Sequence, residues 1–105
     1  MVTAELAVAI PSLVLVLVLA VGGLSVGIDE IRCIDAARVG ARALARGDGR
    51  VAAESVARRV APPAATLGVT QTQSEVTVDV SVRRTLLGSA SLVLRASSVA
   101  QRESP

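Results

Sequence analysis

Residues 5–30 of the chain read ELAVAIPSLVLVLVLAVGGLSVGIDE. Between the acids Glu5 and Asp29 lie 23 residues, Leu6–Ile28, that carry no charge. A helix of that length spans about 35 Å, which is more than the ~30 Å hydrocarbon core of a bilayer. The stretch therefore predicts an N-terminal transmembrane helix over residues 1–28.

A cleavable signal peptide is the alternative interpretation of this stretch. A signal peptide begins with basic residues, has a shorter apolar region and ends at small residues. This chain instead has an acid and no Arg ahead of its apolar run, which favours a membrane helix that is not cleaved. Pro11 lies one turn inside the run, and since it lacks a backbone N–H we expect the helix to bend or restart there.

The composition excludes several classes of function. The 105 residues carry a net charge of +2, all eleven basic residues are Arg, and there is no His and no aromatic residue. This is too weakly basic, and too poor in stacking side chains, for nucleic-acid binding. We also expect no metal, no cofactor and no enzymatic activity, because the candidate carboxylates Asp29, Glu30 and Asp35 are predicted to face solvent on a helix without a pocket.

Residues 29–60 are predicted to be the soluble, helical continuation of the membrane helix. They are rich in Ala and Arg, so we expect one long helix from about Thr3 to Arg46, stopped by Gly47–Gly49. A second, short helix is predicted from Arg50 to Val60, before Pro62–Pro63. Two apolar faces are predicted, one on each helix: Ile34, Ala37, Ala41 and Leu44 on the first, and Val51, Ser55, Val56 and Val60 on the second.

Residues 61–105 are predicted to form a small β-meander with a frayed C-terminus. Val76–Val82 alternates apolar and polar residues at every step, as a half-buried strand does, and weaker strands are predicted at Thr66–Gln73 and Ser91–Ser97. Turns are expected near Ser74 and at Gly88–Ala90. The fold class is therefore α+β, with a three-stranded antiparallel sheet whose four-valine face, Val76, Val78, Val80 and Val82, packs on the stripe of the long helix.

Small residues recur along the long helix at steps of four. Gly23 and Gly27 form a G-x-x-x-G spacing, and Ala36 and Gly40 continue the small residues beyond the membrane segment. This spacing predicts close packing against another helix, although Gly and Ala are also common in membrane helices for no such reason. Cys33 is interpreted as a small buried hydrophobe, with an intermolecular disulfide on the oxidising side of the membrane as the alternative.

Arginines follow the apolar run, which bears on the orientation of the chain. Arg38, Arg42 and Arg46 are predicted to form a solvated face, paired in part with Asp35, and Arg32 is a candidate for contact with lipid headgroups. By the positive-inside rule, these residues favour a C-terminus in the cytoplasm.

Two stretches carry a resemblance to a known family. VTAELAVAIPSLVLVLVLAVGG, residues 2–23, and IRCIDAARVGARALARGD, residues 31–48, resemble the actinobacterial branch of the TadE-like pilus proteins. These are minor pilins, or pseudopilins, of tight-adherence (Flp-type) type IV pili. The resemblance covers roughly the first half of the chain well and the β tail only in general layout. Leu6 stands where the major Flp pilins have Tyr, which favours a minor pilin.

The resemblance implies a pilin-like lollipop, with a helical stem in the cytoplasmic membrane and the C-terminal domain outside it. The implied partners are other pilin and pseudopilin subunits, the pilus assembly platform, membrane lipid, and a prepilin peptidase if a leader precedes Met1. No Gly or basic leader is printed before Met1, so we expect either a start further upstream or a protein that is not processed.

Glu5 receives its role from the same resemblance. Type IV pilins carry Glu at the fifth position of the mature chain, which implies that Glu5 pairs with the free amino group of a neighbouring subunit during assembly. The residue alone allows another explanation, because a Glu in the first turn of any helix is stabilised by the helix dipole. The alternative function is a single-pass membrane protein, unrelated to pili, whose small extracytoplasmic domain binds a partner.

Overall fold

The computed structural model describes residues 2–86 and 90–102, and leaves out the side chain of Leu86. The fold is α+β, as predicted. Two helices precede three strands: α1 (Val2–Ala45), α2 (Arg50–Val60), β1 (Thr66–Gln71), β2 (Glu75–Leu86) and β3 (Ala90–Gln101).

Helix α1 is one unbroken helix of 44 residues. The expectation that it restarts at Pro11 is wrong, because the helix continues through that residue. Pro11 removes one backbone hydrogen bond, and in the same turn the Ser12 hydroxyl donates to the Val8 carbonyl at 2.8 Å. This bond gives the serine hydroxyl a partner within an apolar stretch.

The predicted stop of α1 at Gly47–Gly49 is confirmed. The N–H of Asp48 donates to the Ala43 carbonyl at 3.1 Å, and that of Gly47 donates to the Leu44 carbonyl at 3.0 Å. This pair of bonds is the Schellman motif, and it needs a residue at positive φ, which Gly47 provides at 86°.

Helix α2 has the predicted bounds but buries a different face. Ala53 and Ala57 are buried, while Val51 is 83% exposed and Ser55 is also exposed. The predicted face of α2 is therefore wrong at Val51 and Ser55, whereas Val56 and Val60 are half-buried and Val60 packs against the core. Small residues are needed on the buried side because α1 and α2 come close together: a Cβ built on Gly40 of α1 would stand 3.3 Å from the Ala57 Cβ.

The three strands form an antiparallel sheet in the order β1-β2-β3. Val78 at its centre pairs with Val69 on one side and Ser98 on the other. The turn near Ser74 is confirmed, and the Thr72 hydroxyl closes it by accepting from the Glu75 N–H at 3.0 Å. Most of the expected turn at Gly88–Ala90 lies outside the described residues, as do residues 103–105 of the end predicted to fray. At Gln101 and Arg102 that prediction is wrong, because Gln101 pairs in β3 and the Arg102 N–H donates to the Ser74 carbonyl at 2.8 Å.

Strands β2 and β3 are each 12 residues long, which exceeds the predicted strands. Their pairing does not stop at Val82, but continues through Arg84↔Leu92 to Leu86↔Ala90. The alternation of apolar residues ends at Val82, so hydrophobic pattern alone could not reveal the charged continuation of the hairpin.

The core lies between α1 and the inner face of the sheet. The four inward valines are buried, so the predicted packing of the sheet face is confirmed. The predicted stripe on α1 is wrong at one position, because Ile34 is 36% exposed and Cys33 is buried instead. The α1 residues that enter the core have small side chains, apart from Leu44: Cys33, Ala36, Ala37, Gly40, Ala41, Ala43, Leu44 and Ala45.

Gly40 is the position at which added volume should be least tolerated. A Cβ there meets both the Ala57 Cβ and the Val78 Cγ1 at 3.3 Å, and the Ala57 Cβ cannot rotate away. We expect Gly40→Leu to lower the free energy of unfolding of the helix–sheet unit by about 1–3 kcal/mol. Hydrogen exchange of the β2 amides in detergent micelles measures this.

Gly23→Leu is the matched control, because nothing lies within 4 Å of a Cβ built at Gly23. This variant should exchange its β2 amides like the parent. Equal exchange in the Gly40→Leu variant would show that the contact between α1 and α2 is looser than the distances indicate.

Candidate functional site

The first half of α1 is an apolar surface that the rest of the chain leaves uncovered. Every large apolar side chain from Val2 to Leu24 is exposed. By length and composition, α1 could cross a membrane, and none of its most apolar stretch is buried within the molecule. The helix of a soluble core would be covered on at least one side, so this surface calls for lipid or neighbouring chains.

Glu5 lies in the first turn of α1 and is exposed. In the part of the chain that the structure describes, Glu5 makes no hydrogen bond or salt bridge. Its position at the start of α1 is compatible with stabilisation by the helix dipole. The carboxylate is also accessible to a group of another molecule.

The four small residues predicted for helix packing divide into two pairs. A Cβ built at Gly23 or Gly27 meets nothing within 4 Å, so these two positions are open to another molecule. Ala36 and Gly40, in contrast, are buried by the chain's own sheet and second helix. Gly40 packs against another helix as predicted, but this helix is α2 of the same chain. The surface at Ala36 and Gly40 is therefore already occupied.

Asp29 and Arg84 form an ion pair that joins α1 to β2. The prediction that Asp29 faces solvent is wrong, because it is buried with only 3% exposure. It lies four residues before Cys33, on the same face of α1 that packs on the sheet. Arg84 stands two residues after Val82 on β2 and so points to the same inner face of the sheet.

Arg84 determines the ionisation of Asp29. The hydrogen bond from the Arg84 guanidinium lowers the pKa of the Asp29 carboxyl below its ordinary value, although burial of the carboxyl acts in the opposite direction. The positive charges of Arg84 and Arg32 lower this pKa further. The same hydrogen bond raises the pKa of Arg84. Asp29 is thus held as a carboxylate, and the pair closes the end of the core that adjoins the apolar half of α1.

Sequence reasoning missed this pair, although both residues carry a signal. The alternation that places Val80 and Val82 inward also places Arg84 inward, where a charge requires a partner. Counting back by four from Cys33 on the buried face of α1 leads to Asp29.

Cys33 is fully buried in the core. Burial raises the pKa of the Cys33 thiol, and the nearby negative charges of Asp29 and Glu30 raise it further. The structure places Cys33 where the prediction of a small buried hydrophobe expected it. An intermolecular disulfide would require α1 and the sheet to separate first.

The remaining charged residues of α1 face solvent. Arg32, Arg38 and Arg42 are exposed, as are Glu30 and Asp35. Arg46, the last residue of the predicted Arg face, pairs with Asp48 at 3.0 Å instead of with Asp35. Over residues 2–86 and 90–102, no group of three or more metal-ligating side chains occurs.

The chain is similar to a curated mycobacterial protein. The "Apoptosis inhibitor Rv3655c" of Mycobacterium tuberculosis (strain ATCC 25618 / H37Rv) is 45% identical over 97 residues, which cover 92% of this chain and 77% of that protein. The match is long enough to include both the apolar helix and the sheet. No family model matches the chain, and no solved structure matches it.

The ion pair should make the stability of the helix–sheet unit depend on pH. The folded-state pKa of Asp29 is lowered, so its contribution is present above the ordinary Asp value of about 4 and is lost as the pH falls through the folded value. Arg84→Leu leaves the buried carboxylate of Asp29 without its donor, which should cost about 1–3 kcal/mol and remove this acid dependence. Hydrogen exchange in micelles between neutral and acid pH measures both effects.

Arg83→Leu is the matched control, because Arg83 is exposed on the opposite face of β2. The double variant Asp29→Leu with Arg84→Leu should recover most of the lost stability, since it also removes the buried carboxylate that Arg84→Leu leaves without a partner. If Arg84→Leu alone is as stable as the parent, the pair has no structural role.

Proposed function

We propose that this chain, which belongs to the same family as the mycobacterial Apoptosis inhibitor Rv3655c, is a single-pass membrane protein that acts as a TadE-like minor pilin. It takes part in assembling a Flp-type, tight-adherence type IV pilus. Its N-terminal helix is the membrane-embedded stem of a pilin-like lollipop, and the helix–sheet unit is the head.

One observation carries the proposal: a single unbroken helix has one half that the chain leaves uncovered and another half that the sheet covers. The first half of α1 exposes only apolar side chains apart from Thr3, Glu5, Ser12 and Ser25, and the second half forms the core of a small sheet domain. A subunit that moves from membrane to fibre needs such a helix, because its apolar half must be covered by lipid first and by neighbouring subunits afterwards. A soluble protein has no use for it.

The carboxylate at the start of α1 supports the assembly role. A charge that enters an apolar layer is costly unless it is paired or near water, and intramembrane acids are functional by default. The resemblance to type IV pilins supplies the partner, which is the free amino group of a neighbouring subunit. That pairing determines the axial position of each subunit relative to its neighbour in the fibre.

The helix–sheet unit lies outside the cytoplasmic membrane in this proposal. The basic residues after the membrane segment argue for the opposite orientation by the positive-inside rule. We give priority to the pilin-like start of the chain. The partners are other pilins and pseudopilins, the assembly platform, a prepilin peptidase if a leader precedes Met1, and lipid.

A different membrane protein is the alternative. The name of the mycobacterial relative assigns inhibition of apoptosis to that protein, and this is a different kind of activity from pilus assembly. A single-pass protein whose outer domain binds a partner would use the same fold, but it would not need a carboxylate at position 5. Substitution of Glu5 therefore separates the two functions.

Glu5→Ala should insert into the membrane as well as the parent, because it removes a charge from the bilayer edge. The fold of the helix–sheet unit should be unchanged, since Glu5 touches none of it. Incorporation into the fibre should fail, because the neighbour's amino group would lose its partner in an apolar environment. The measurement compares membrane-inserted with fibre-associated protein in the piliated host cell.

Three further variants sharpen the comparison. Glu5→Gln should fail like Glu5→Ala, and Glu5→Asp should be intermediate because it keeps the charge but shortens its reach. Glu30→Gln removes an exposed acid outside the apolar segment and should assemble normally. Fibre entry of Glu5→Ala at the level of the parent would contradict the assembly role and favour the alternative function.

The open glycines of α1 give an independent prediction. Gly27→Leu should weaken crosslinking to neighbouring pilins while leaving insertion intact, because added side-chain volume holds two helices apart at a close crossing. Gly22→Leu is the matched control, as it places the same side chain on a different face of α1. Unchanged crosslinking in the Gly27→Leu variant would mean that these glycines have no packing role.

A further inference from the structure

The sheet runs alongside α1 in the opposite direction and reaches back toward the apolar half of the helix. Gly40 of α1 lies against Val78, and Asp29 of α1 pairs with Arg84. From Gly40 back to Asp29, α1 covers eleven residues, or about 17 Å. From Val78 to Arg84, β2 covers six residues, or about 20 Å, so the strand runs antiparallel to the helix and stays beside it. The β2–β3 hairpin therefore points toward the N-terminus of α1.

The hairpin continues beyond the ion pair. Strand pairing extends from Arg84 to the pair Leu86↔Ala90, which is about 7 Å further along the strands. On α1, the same distance from Asp29 leads to about residue 24. Val26, which lies inside the apolar stretch Leu6–Ile28, is accordingly half-buried and packs against the core of the helix–sheet unit.

This end of the unit combines exposed apolar residues with arginines. Leu92 and Val93 on β3 and Ile31 on α1 are 38–60% exposed, and Arg32 and Arg83 stand beside them on α1 and β2 and are also exposed. Apolar side chains with adjacent guanidinium groups suit the boundary between lipid headgroups and acyl chains.

The opposite end of the sheet is polar. Its turn between β1 and β2 and the end of β3 carry exposed residues that bind one another: the Arg102 guanidinium donates to the Gln71 side chain at 2.9 Å and to the Thr72 carbonyl at 3.2 Å. The two ends of the sheet thus differ in chemistry. The end with exposed apolar residues is the one that lies beside the apolar stretch Leu6–Ile28 of α1.

We propose that the β2–β3 hairpin end is a membrane-interface anchor, seated in the headgroup layer of the bilayer that α1 crosses. Arg32 and Arg83 contact lipid phosphates, and Leu92 and Val93 contact the outer part of the acyl chains. The anchor rests on the proposed membrane span of α1, since the hairpin end overlaps that span by about one helical turn.

The absence of aromatic residues allows a direct test. A single Trp is introduced into the full chain, reconstituted in vesicles of phosphatidylcholine and phosphatidylglycerol with brominated acyl chains, which quench Trp fluorescence on contact. Val93→Trp and Val99→Trp form a matched pair, because both positions are exposed on the same face of β3 and a Trp suits an exposed strand site. Six strand residues, about 20 Å, separate them.

Val93→Trp should emit at shorter wavelength than Val99→Trp and lose most of its emission to brominated lipid, while Val99→Trp should keep the emission of a Trp in water. Equal quenching of the two variants would overturn the anchor. So would a blue-shifted but unquenched Val93→Trp, which would indicate that a second copy of the chain covers this end.

Leu17→Trp, at the middle of the apolar stretch, tests the membrane span separately. It should be quenched most strongly by bromines deep in the acyl chains. An unquenched Leu17→Trp would overturn both the membrane span and the anchor, whereas quenching at Leu17 without quenching at Val93 would overturn the anchor alone.

Discussion

The whole head depends on how closely α1 can approach the sheet and α2. Without Phe, Tyr or Trp, the core consists of Ala, Val, Leu and a single Cys, and side chains of this size bury useful area only if the backbones are near one another. Gly40 is the closest point, with Ala57 on one side and Val78 on the other. A larger residue there would separate all three elements at once, because they meet at the same place.

The Asp29–Arg84 pair has a different part in the same interface. The pair lies where the small-residue core ends and the apolar half of α1 begins. Hydrophobic contacts alone would allow the sheet to shift along the helix at this point, and the ion pair fixes its position. Asp29 is buried while the Arg84 side chain is 44% exposed. Such a pair adds little net stability compared with an apolar pair, but a buried carboxylate that loses its partner is expensive. Its contribution is therefore to specify the position of β2 on α1.

The sequence predicted the elements better than the contacts between them. The long helix, the bounds of α2, the α+β class and the inward valines follow from hydrophobic periodicity, Gly and Pro, and these are local signals. The buried faces of α1 and α2 were misjudged because large apolar residues such as Ile34 and Val51 were expected inside, whereas close packing selects Cys33, Ala53 and Ala57. The Asp29–Arg84 pair joins residues 55 positions apart, and no local pattern connects them. For the proposed assembly surface, the position of Glu5 and the glycines could be read from the sequence, but only the structure separates the open Gly23 and Gly27 from the covered Ala36 and Gly40.

The continuity of α1 has a mechanical consequence. No loop separates the apolar half of the helix from the half that carries the sheet. In the proposed membrane orientation, the molecule therefore has no joint at the membrane surface. In a bilayer, a helix adjusts to the thickness of the hydrocarbon layer by tilting, and here any tilt or rotation of the stem turns the head by the same angle. The orientation of the head would then depend on the thickness and curvature of the surrounding membrane. A neighbouring subunit that straightens the stem would reorient the sheet without touching it.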